Sequence, residues 1–240
     1  MMWVAAWTAL AVPTLVVLLH VDAPYGRHAR RGWGPAVPAR IAWMVMEAPA
    51  ALGLPALYLA ARPAGVVPAA LLALWLAHYV NRAVVQPLRA RGGTAMPASV
   101  MAMGFAFNCV NVAIQGSAAF APGAYADAWL ADPRFGVGLA TFVAGYATNA
   151  HADAVLRRLR AGGYQIPRGG LYRWVSCPNY LGEIVEWIGW AIATWSLAGA
   201  SFAVWTIANL APRALANHRW LRERFPDYPR ERRALVPWLV

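Results

Sequence analysis

The sequence predicts an all-α, polytopic membrane protein of seven transmembrane helices, with the N-terminus outside and the C-terminus in the cytoplasm. Three observations carry that prediction. The 240 residues are 60% hydrophobic and 13% charged, against about 45–50% and about 25% in soluble chains. Apolar runs of about 20 residues, the length that crosses a bilayer, recur along the chain. All 21 basic residues are arginine, against 10 acids, and they gather in alternate loops. Collagen, disordered tails and disulfide scaffolds are excluded, because 20 Gly and 18 Pro follow no period and the only cysteines are Cys109 and Cys177.

The first span runs from Met2 to Leu19, and its start carries no Arg, so it reads as a span rather than a cleaved signal peptide. Ile41–Ala61, Val66–Val85 and Ala98–Phe120 follow as the second to fourth, and Phe135–Leu156 as the fifth. The apolar stretch Tyr180–Leu210 is too long for one helix, and Ser196-Leu-Ala-Gly-Ala-Ser201 offers a break that makes a sixth and a seventh. In the tail Leu221–Val240, Pro226, Pro229 and Pro237 prevent a continuous helix. Its apolar end is expected to pack back on the bundle or to lie at the interface.

Charge supports the count. The loops after the first, third and fifth spans, the end of the third span at Arg82 and the tail hold 19 of the 21 arginines, leaving Arg62 and Arg134 for the other side. The positive-inside rule then orients the chain and accounts for the +11 excess, with no nucleic-acid partner.

Ionisable groups within spans are costly, so each one is a candidate for function. Glu47 lies inside the second span in Trp43-Met-Val-Met-Glu-Ala-Pro, with no opposite charge nearby in sequence. It reads either as a desolvated, protonated carboxyl that serves as a hydrogen-bond donor or as a structural acid bonded to a neighbouring helix. His78, Tyr79, Asn81 and Arg82 close the third span, with Tyr79 and Arg82 three apart on one face. Asn149, Asp153, Arg157 and Arg160, at offsets of four, eight and eleven residues, share one face of the fifth helix. Amide and carboxylate suit a carboxamide or ribose hydroxyls, and guanidinium forks suit phosphates, so the stripe fits a cytoplasmic nucleotide. Asn179, Glu183, Glu186, Trp187 and Trp190 share a face of the sixth, where the tryptophans read as packing residues. There is no GxGxxG after a strand, no Walker A, no HExxH and no Cys/His metal spacing, so no metal is expected. His151 and His218 stand alone and read as structural or cofactor-contacting.

The stretch Ile166-Pro-Arg-Gly-Gly-Leu-Tyr, the block Asn179-Tyr-Leu-Gly-Glu-Ile-Val-Glu-Trp-Ile-Gly-Trp-Ala-Ile-Ala-Thr-Trp-Ser and the tail Phe225-Pro-Asp-Tyr-Pro-Arg-Glu-Arg-Arg-Ala-Leu-Val-Pro strongly resemble the steroid 5α-reductase family. Weaker matches run forward through Asn149-Ala-His-Ala-Asp, His78-Tyr79, Trp43–Pro49 and Tyr25-Gly-Arg-His. The resemblance implies a single seven-helix membrane reductase domain over 1–240, with substrate-binding helices over about 1–130 and NADPH-binding helices and tail over about 131–240. It implies NADPH-dependent saturation of the Δ4 bond of a 3-oxosteroid, with hydride to C5. Glu47 and Tyr79 would bind the C3 carbonyl and stabilise the enolate, Glu47 in its protonated form. Asn149, Asp153, Arg157, Arg160, Tyr164, Asn179, Glu183, Arg213 and His218 would meet the cofactor. The sequence departs from the family at Ala216-Asn217-His218-Arg219, where a His-rich run is common, at Leu221 in place of an aromatic, and at Cys177-Pro178.

Other readings are reduction of another lipid enone or enoyl substrate, and an S-adenosylmethionine-dependent methyltransferase resembling the isoprenylcysteine carboxyl methyltransferases. A transport bundle would carry charge along a through-path, whereas these polar groups concentrate toward the cytoplasmic half. The partners expected are a lipid or steroid substrate and membrane lipid. All-Arg, Ala-rich usage points to a bacterial inner membrane, or to the endoplasmic reticulum for a eukaryotic source.

Overall fold

The computed structural model describes residues 2–90, 94–159 and 163–239, which are mostly helical with almost no sheet. In chain order the helices are α1 (Met2–Ala9), α2 (Ala11–His20), α3 (Ala39–Ala61), α4 (Val67–Val80), α5 (Gln86–Arg89), α6 (Ala98–Ala119), α7 (Pro133–Leu159), α8 (Pro178–Thr194) and α9 (Leu197–Arg224). The one small sheet pairs β1 (Ala36–Val37) antiparallel with β2 (Met96–Pro97). Among the described residues, four stretches are long and apolar enough to cross a membrane, namely Met2–His20, Ala39–Ala61, Val67–Arg89 and Ala98–Ala119. The chain divides into a terminal unit, residues 2–22 with 136–239, and a central unit, residues 23–135.

In the central unit α3 packs on α6 and α4. Leu54, Leu71, Trp75, Val112 and Ile114 form its buried apolar centre. Pro49 and Pro55 interrupt the hydrogen-bond ladder of α3, and neighbouring side chains bond its backbone there. The Trp75 indole donates to the Ala50 carbonyl at 2.8 Å, and the Asn108 amide donates to that of Met46 at 2.8 Å. Arg134, one of the two arginines that depart from the charge pattern, forms a bidentate pair with Asp132 at 2.9 and 2.7 Å. Asp132 also caps α7 by accepting from the Arg134 backbone N–H at 2.8 Å. These bonds hold its carboxyl low, at about 2.

In the terminal unit α7 and α8 meet through glycine. A Cβ on Gly138 or Gly145 would run into the α8 backbone at Ala193 or Glu186, and one on Gly182 or Gly189 into the α7 backbone at Asn149 or Phe142. The pairs are seven apart on both helices, so one seam repeats and the backbones approach as only small residues permit. Phe142, Trp187, Trp190 and Phe202 close around it, with the Trp187 and Phe202 rings 4.2 Å apart.

The predicted break in the long apolar stretch falls between Thr194 and Leu197. Trp195 takes a left-handed conformation at φ 43°, and the Ser196 hydroxyl caps α9 by accepting from Gly199 N–H at 3.0 Å. Beyond the apolar run that ends at Leu210, α9 continues through Pro212 to Arg224. There polar i,i+4 contacts replace apolar patterning, as where the Arg213 guanidinium donates to Asn209 Oδ1 at 2.9 Å. The tail packs back as expected. Arg233 N–H donates to Trp174 O, Ser176 N–H to Arg233 O and Cys177 N–H to Ala234 O, at 2.8 to 3.1 Å. Leu235 joins Cys177, Ile184, Leu210 and Ala214 in a buried cluster.

The seam gives a test. Gly145→Ala is expected to lower the melting temperature in detergent by several degrees, because overpacking costs about 1–3 kcal/mol. Gly136→Ala, where a Cβ meets open space, should not. Equal melting of the two variants would remove the seam from the fold's stability.

Candidate active site

The central unit holds one polar cluster. Glu47, 7% exposed, projects from α3, and each carboxylate oxygen has a partner from another element, a guanidinium for one and an amide donor for the other. Arg82 Nε lies 3.6 Å from Oε1, and Asn108 Nδ2 of α6 donates to Oε2 at 3.1 Å. The opposite charge missing from the neighbouring sequence is thus supplied by the end of the third span. Arg82 reaches Glu47 from the π-helical turn Asn81–Val85, an irregularity often found at functional sites. Its guanidinium stands 5.0 Å above the Trp43 ring, one turn before Glu47 on α3.

Tyr79 is buried on α4, 3% exposed, immediately before that turn. Its ring lies 4.6 Å from Trp75 and 4.9 Å from His78. Since Trp75 bonds Ala50 of α3 and Arg82 pairs with Glu47, α4 and its π turn are tied to α3 on both sides of the carboxyl. Sequence reasoning missed Asn108. Its signal was the apolar helix α6 carrying amides at Asn108, Asn111 and Gln115, spaced three and four apart and all buried. Gln115 Nε2 donates to Asn111 Oδ1 at 3.2 Å, continuing the polar line along α6.

The terminal unit holds a second cluster, set by the glycine seam. Asn149, 3% exposed on α7, donates from Nδ2 to the Asn179 carbonyl at 2.9 Å. Asn179 Nδ2 reaches Asp153 Oδ1 at 3.4 Å. Three residues of the predicted set are therefore linked across two helices. Glu183 follows Asn179 by one turn of α8, and Arg157 follows Asp153 by one turn of α7; both are half-buried. Arg160 lies outside the described residues. Tyr164 is 54% exposed, with its ring 5.0 Å from Trp220.

On α9, Arg213 donates to the Tyr180 hydroxyl at 3.3 Å, and Asn217 donates to the same oxygen at 3.4 Å. Tyr180, absent from the predicted set, thus ties α8 to α9. His218 is engaged by the protein itself. Its Nδ1 lies 2.6 Å from Ser176 Oγ, which lies 2.7 Å from the Tyr228 hydroxyl. Burial, then the charges of Arg222 and Arg233, push the His218 imidazole below its ordinary value. Trp187 and Trp190 are wholly buried packing residues, as expected, and Glu186 is buried beside them. Among the described residues no His, Cys, Asp or Glu cluster could hold a metal ion.

These features define a helical membrane protein with a buried carboxylate beside an arginine in one unit and a linked amide–carboxylate set, Asn149, Asn179 and Asp153, in the other. A family model described as 3-oxo-5-alpha-steroid 4-dehydrogenase matches residues 94–240. Over 97% of its length the chain is 43% identical to 3-oxo-5-alpha-steroid 4-dehydrogenase 1 of Bos taurus, covering 93% of that relative. It is 42% identical to the steroid 5-alpha-reductase DET2 of Gossypium hirsutum, over 96% of the chain and 93% of the relative. With the Homo sapiens 3-oxo-5-alpha-steroid 4-dehydrogenase 1 it shares 41% identity, over 91% of the chain and 86% of the relative. The chain belongs to the steroid 5-alpha-reductase family of oxidoreductases.

The His218 contact carries a pH dependence. A histidine whose folded value is depressed contributes its full stability above its ordinary value of 6.5, and that stability is lost as pH falls through the lower folded value. The melting temperature of the wild type is expected to fall on acidification through that window. His218→Gln should show a flatter profile there, and an unchanged profile would mean that this imidazole is not what titrates.

Proposed function

We propose that this chain is an NADPH-dependent membrane reductase that saturates the Δ4 double bond of 3-oxosteroids to give 5α-reduced 3-oxosteroids. The observation that carries this reading is Glu47, a buried carboxyl with Arg82 at 3.6 Å and Asn108 at 3.1 Å, in a member of the steroid 5-alpha-reductase family. Reduction of an enone places growing negative charge on the carbonyl oxygen, and preorganised buried donors act most strongly on such charge. Glu47 and the Tyr79 phenol are the donors to the C3 oxygen. Glu47 acts in its protonated form, because a carboxylate would repel the enolate, so with substrate bound it must hold its proton against the Arg82 charge, which favours the ionised form. Arg82 and Asn108 position that carboxyl, and Arg82 adds a positive charge beside it. Protonation at C4 completes the saturation.

NADPH, when bound, supplies the hydride taken up at C5. The donor set of the terminal unit fits such a group. Asn149, Asp153, Asn179 and Glu183 suit a carboxamide and ribose hydroxyls, and Arg157, Arg160 and Arg213 suit phosphates. Tyr164 and His218 complete the set carried over from the family. Residues 1–130 would serve the substrate and 131–240 the cofactor.

The same reading gives seven spans, with the N-terminus outside and the C-terminus in the cytoplasm of a bacterial inner membrane. Long apolar helices supply the first four, and α7, α8 and α9 the rest. Polar residues lower the apolar content of α7 and α9, and α8, at 17 residues, is short for a span. A reporter fused to the C-terminus should be cytoplasmic, and its appearance outside would overturn the orientation.

Purified protein is expected to consume NADPH with a Δ4-3-oxosteroid and to yield the 5α product. Glu47→Ala and Tyr79→Phe should each lower kcat/KM by about 10²–10³-fold, the usual cost of losing an oxyanion donor. Asp153→Ala should raise the KM for NADPH. Full activity in Glu47→Ala would remove the carboxyl from the mechanism. Consumption of NADPH only with other lipid enones would move the substrate class, and methyl transfer from S-adenosylmethionine without NADPH consumption would overturn the reading.

A further inference from the structure

The terminal unit contains a cavity of about 840 Å³ that none of the proposed cofactor residues lines. Its walls are α7 around His151, the loop from Arg168 to Trp174, and the tail from Pro229 to Arg232. The loop reaches α7 because Gly169 and Gly170 take positive φ, 91° and 53°. A Cβ on Gly170 would stand 2.6 Å from His151 Nε2, so glycine is what lets this wall close.

Arg232 sets the chemistry of the cavity. It is 4% exposed, and its guanidinium lies 5.3 Å from the Tyr228 ring centre. Its Nε and Nη1 are buried with no hydrogen-bond partner, and among the described residues no carboxylate pairs with it. A buried guanidinium is normally paired and fully hydrogen-bonded, since desolvating it alone is costly. A guanidinium with two unsatisfied N–H groups, on a residue that lines a cavity, points to an anion that accepts from it. Arg168 and Arg173 line the same cavity and add positive charge, against the single acid Glu231. Guanidinium forks match phosphate oxygens. The volume exceeds that of a phosphate, and Leu171, Trp174 and Pro178 supply apolar wall for the rest of a ligand.

We propose that this cavity is a second anion site, separate from the proposed cofactor site, that binds a phosphate ester through Arg232 with Arg168 and Arg173 at its margin. The phosphate comes either from an anionic glycerophospholipid headgroup or from a soluble phosphate compound.

The test uses the full-length protein in detergent. Inorganic pyrophosphate is titrated against tryptophan fluorescence, with Trp174 as the reporter at the wall. Retention of dioleoylphosphatidylglycerol over dioleoylphosphatidylcholine is measured by native mass spectrometry. Pyrophosphate binding, phosphatidylglycerol retention or both is expected, and the arm that responds identifies the source. Arg232→Gln should weaken the response by at least about tenfold, the loss of charge-assisted hydrogen bonds. The double variant Arg168→Gln/Arg173→Gln should weaken it less, and this variant decides the matter if Arg232→Gln does not fold. Saturating NADPH should leave the bound anion in place. Binding in neither arm, wild-type affinity in a folded Arg232→Gln variant, unchanged affinity in the double variant, or stoichiometric displacement by NADPH would each overturn the proposal.

Discussion

The contact on which the terminal unit depends is the close approach of α7 and α8 along Gly138, Gly145, Gly182 and Gly189. Side chains at these positions would occupy the backbone of the opposite helix. Because the seam removes them, Asn149 reaches the Asn179 carbonyl, and Asn179 reaches Asp153. The same approach sets Phe142 edge-on to Trp187, ring centres 6.0 Å apart. α9 and the tail then fasten to α8 through Tyr180, Ser176 and the backbone bonds from Trp174 to Cys177. Small residues thus do for this helix pair what apolar burial does in water: they set its geometry, where lipid offers no hydrophobic drive for helices to associate.

Two carboxylates of the central unit show how one pairing chemistry serves different ends. Asp132 is part-exposed, held by Arg134 through two short bonds, and caps a helix; it is structural. Glu47 is buried, with its guanidinium at a longer 3.6 Å and an amide on the other oxygen. A pair this buried is weak evidence for stability, because desolvation offsets the attraction. The proposed role at the C3 oxygen would account for that cost. The π-helical turn fits the same view, since it displaces Arg82 from regular α-helical register and carries it to Trp43 and Glu47.

Where local chemistry determined the outcome, the sequence was a good guide. The small and polar residues after Thr194 end one helix and cap the next, and the offsets of Asn149 and Asp153 placed them together on one face. Glu47 stood out because its cost in an apolar run is visible without coordinates. Its partners did not, since Arg82 and Asn108 lie 35 and 61 residues away and only helix packing brings them in. The glycine seam was hidden for the same reason: each glycine looks like a defect in its own helix until the opposite backbone is seen. The extension of α9 to Arg224 escaped because its last turns are held by polar contacts rather than by the apolar periodicity that marks a span.

The most direct test of the central claim is the fate of the hydride. Wild-type protein would be supplied with NADPH deuterated at the transferable C4 position and a Δ4-3-oxosteroid in ordinary water, and the product examined by NMR. Deuterium at C5 on the α face, with hydrogen from solvent at C4, is the result expected when buried donors at the C3 oxygen carry the charge of an enolate. Deuterium at C4, or a product with none, would contradict it.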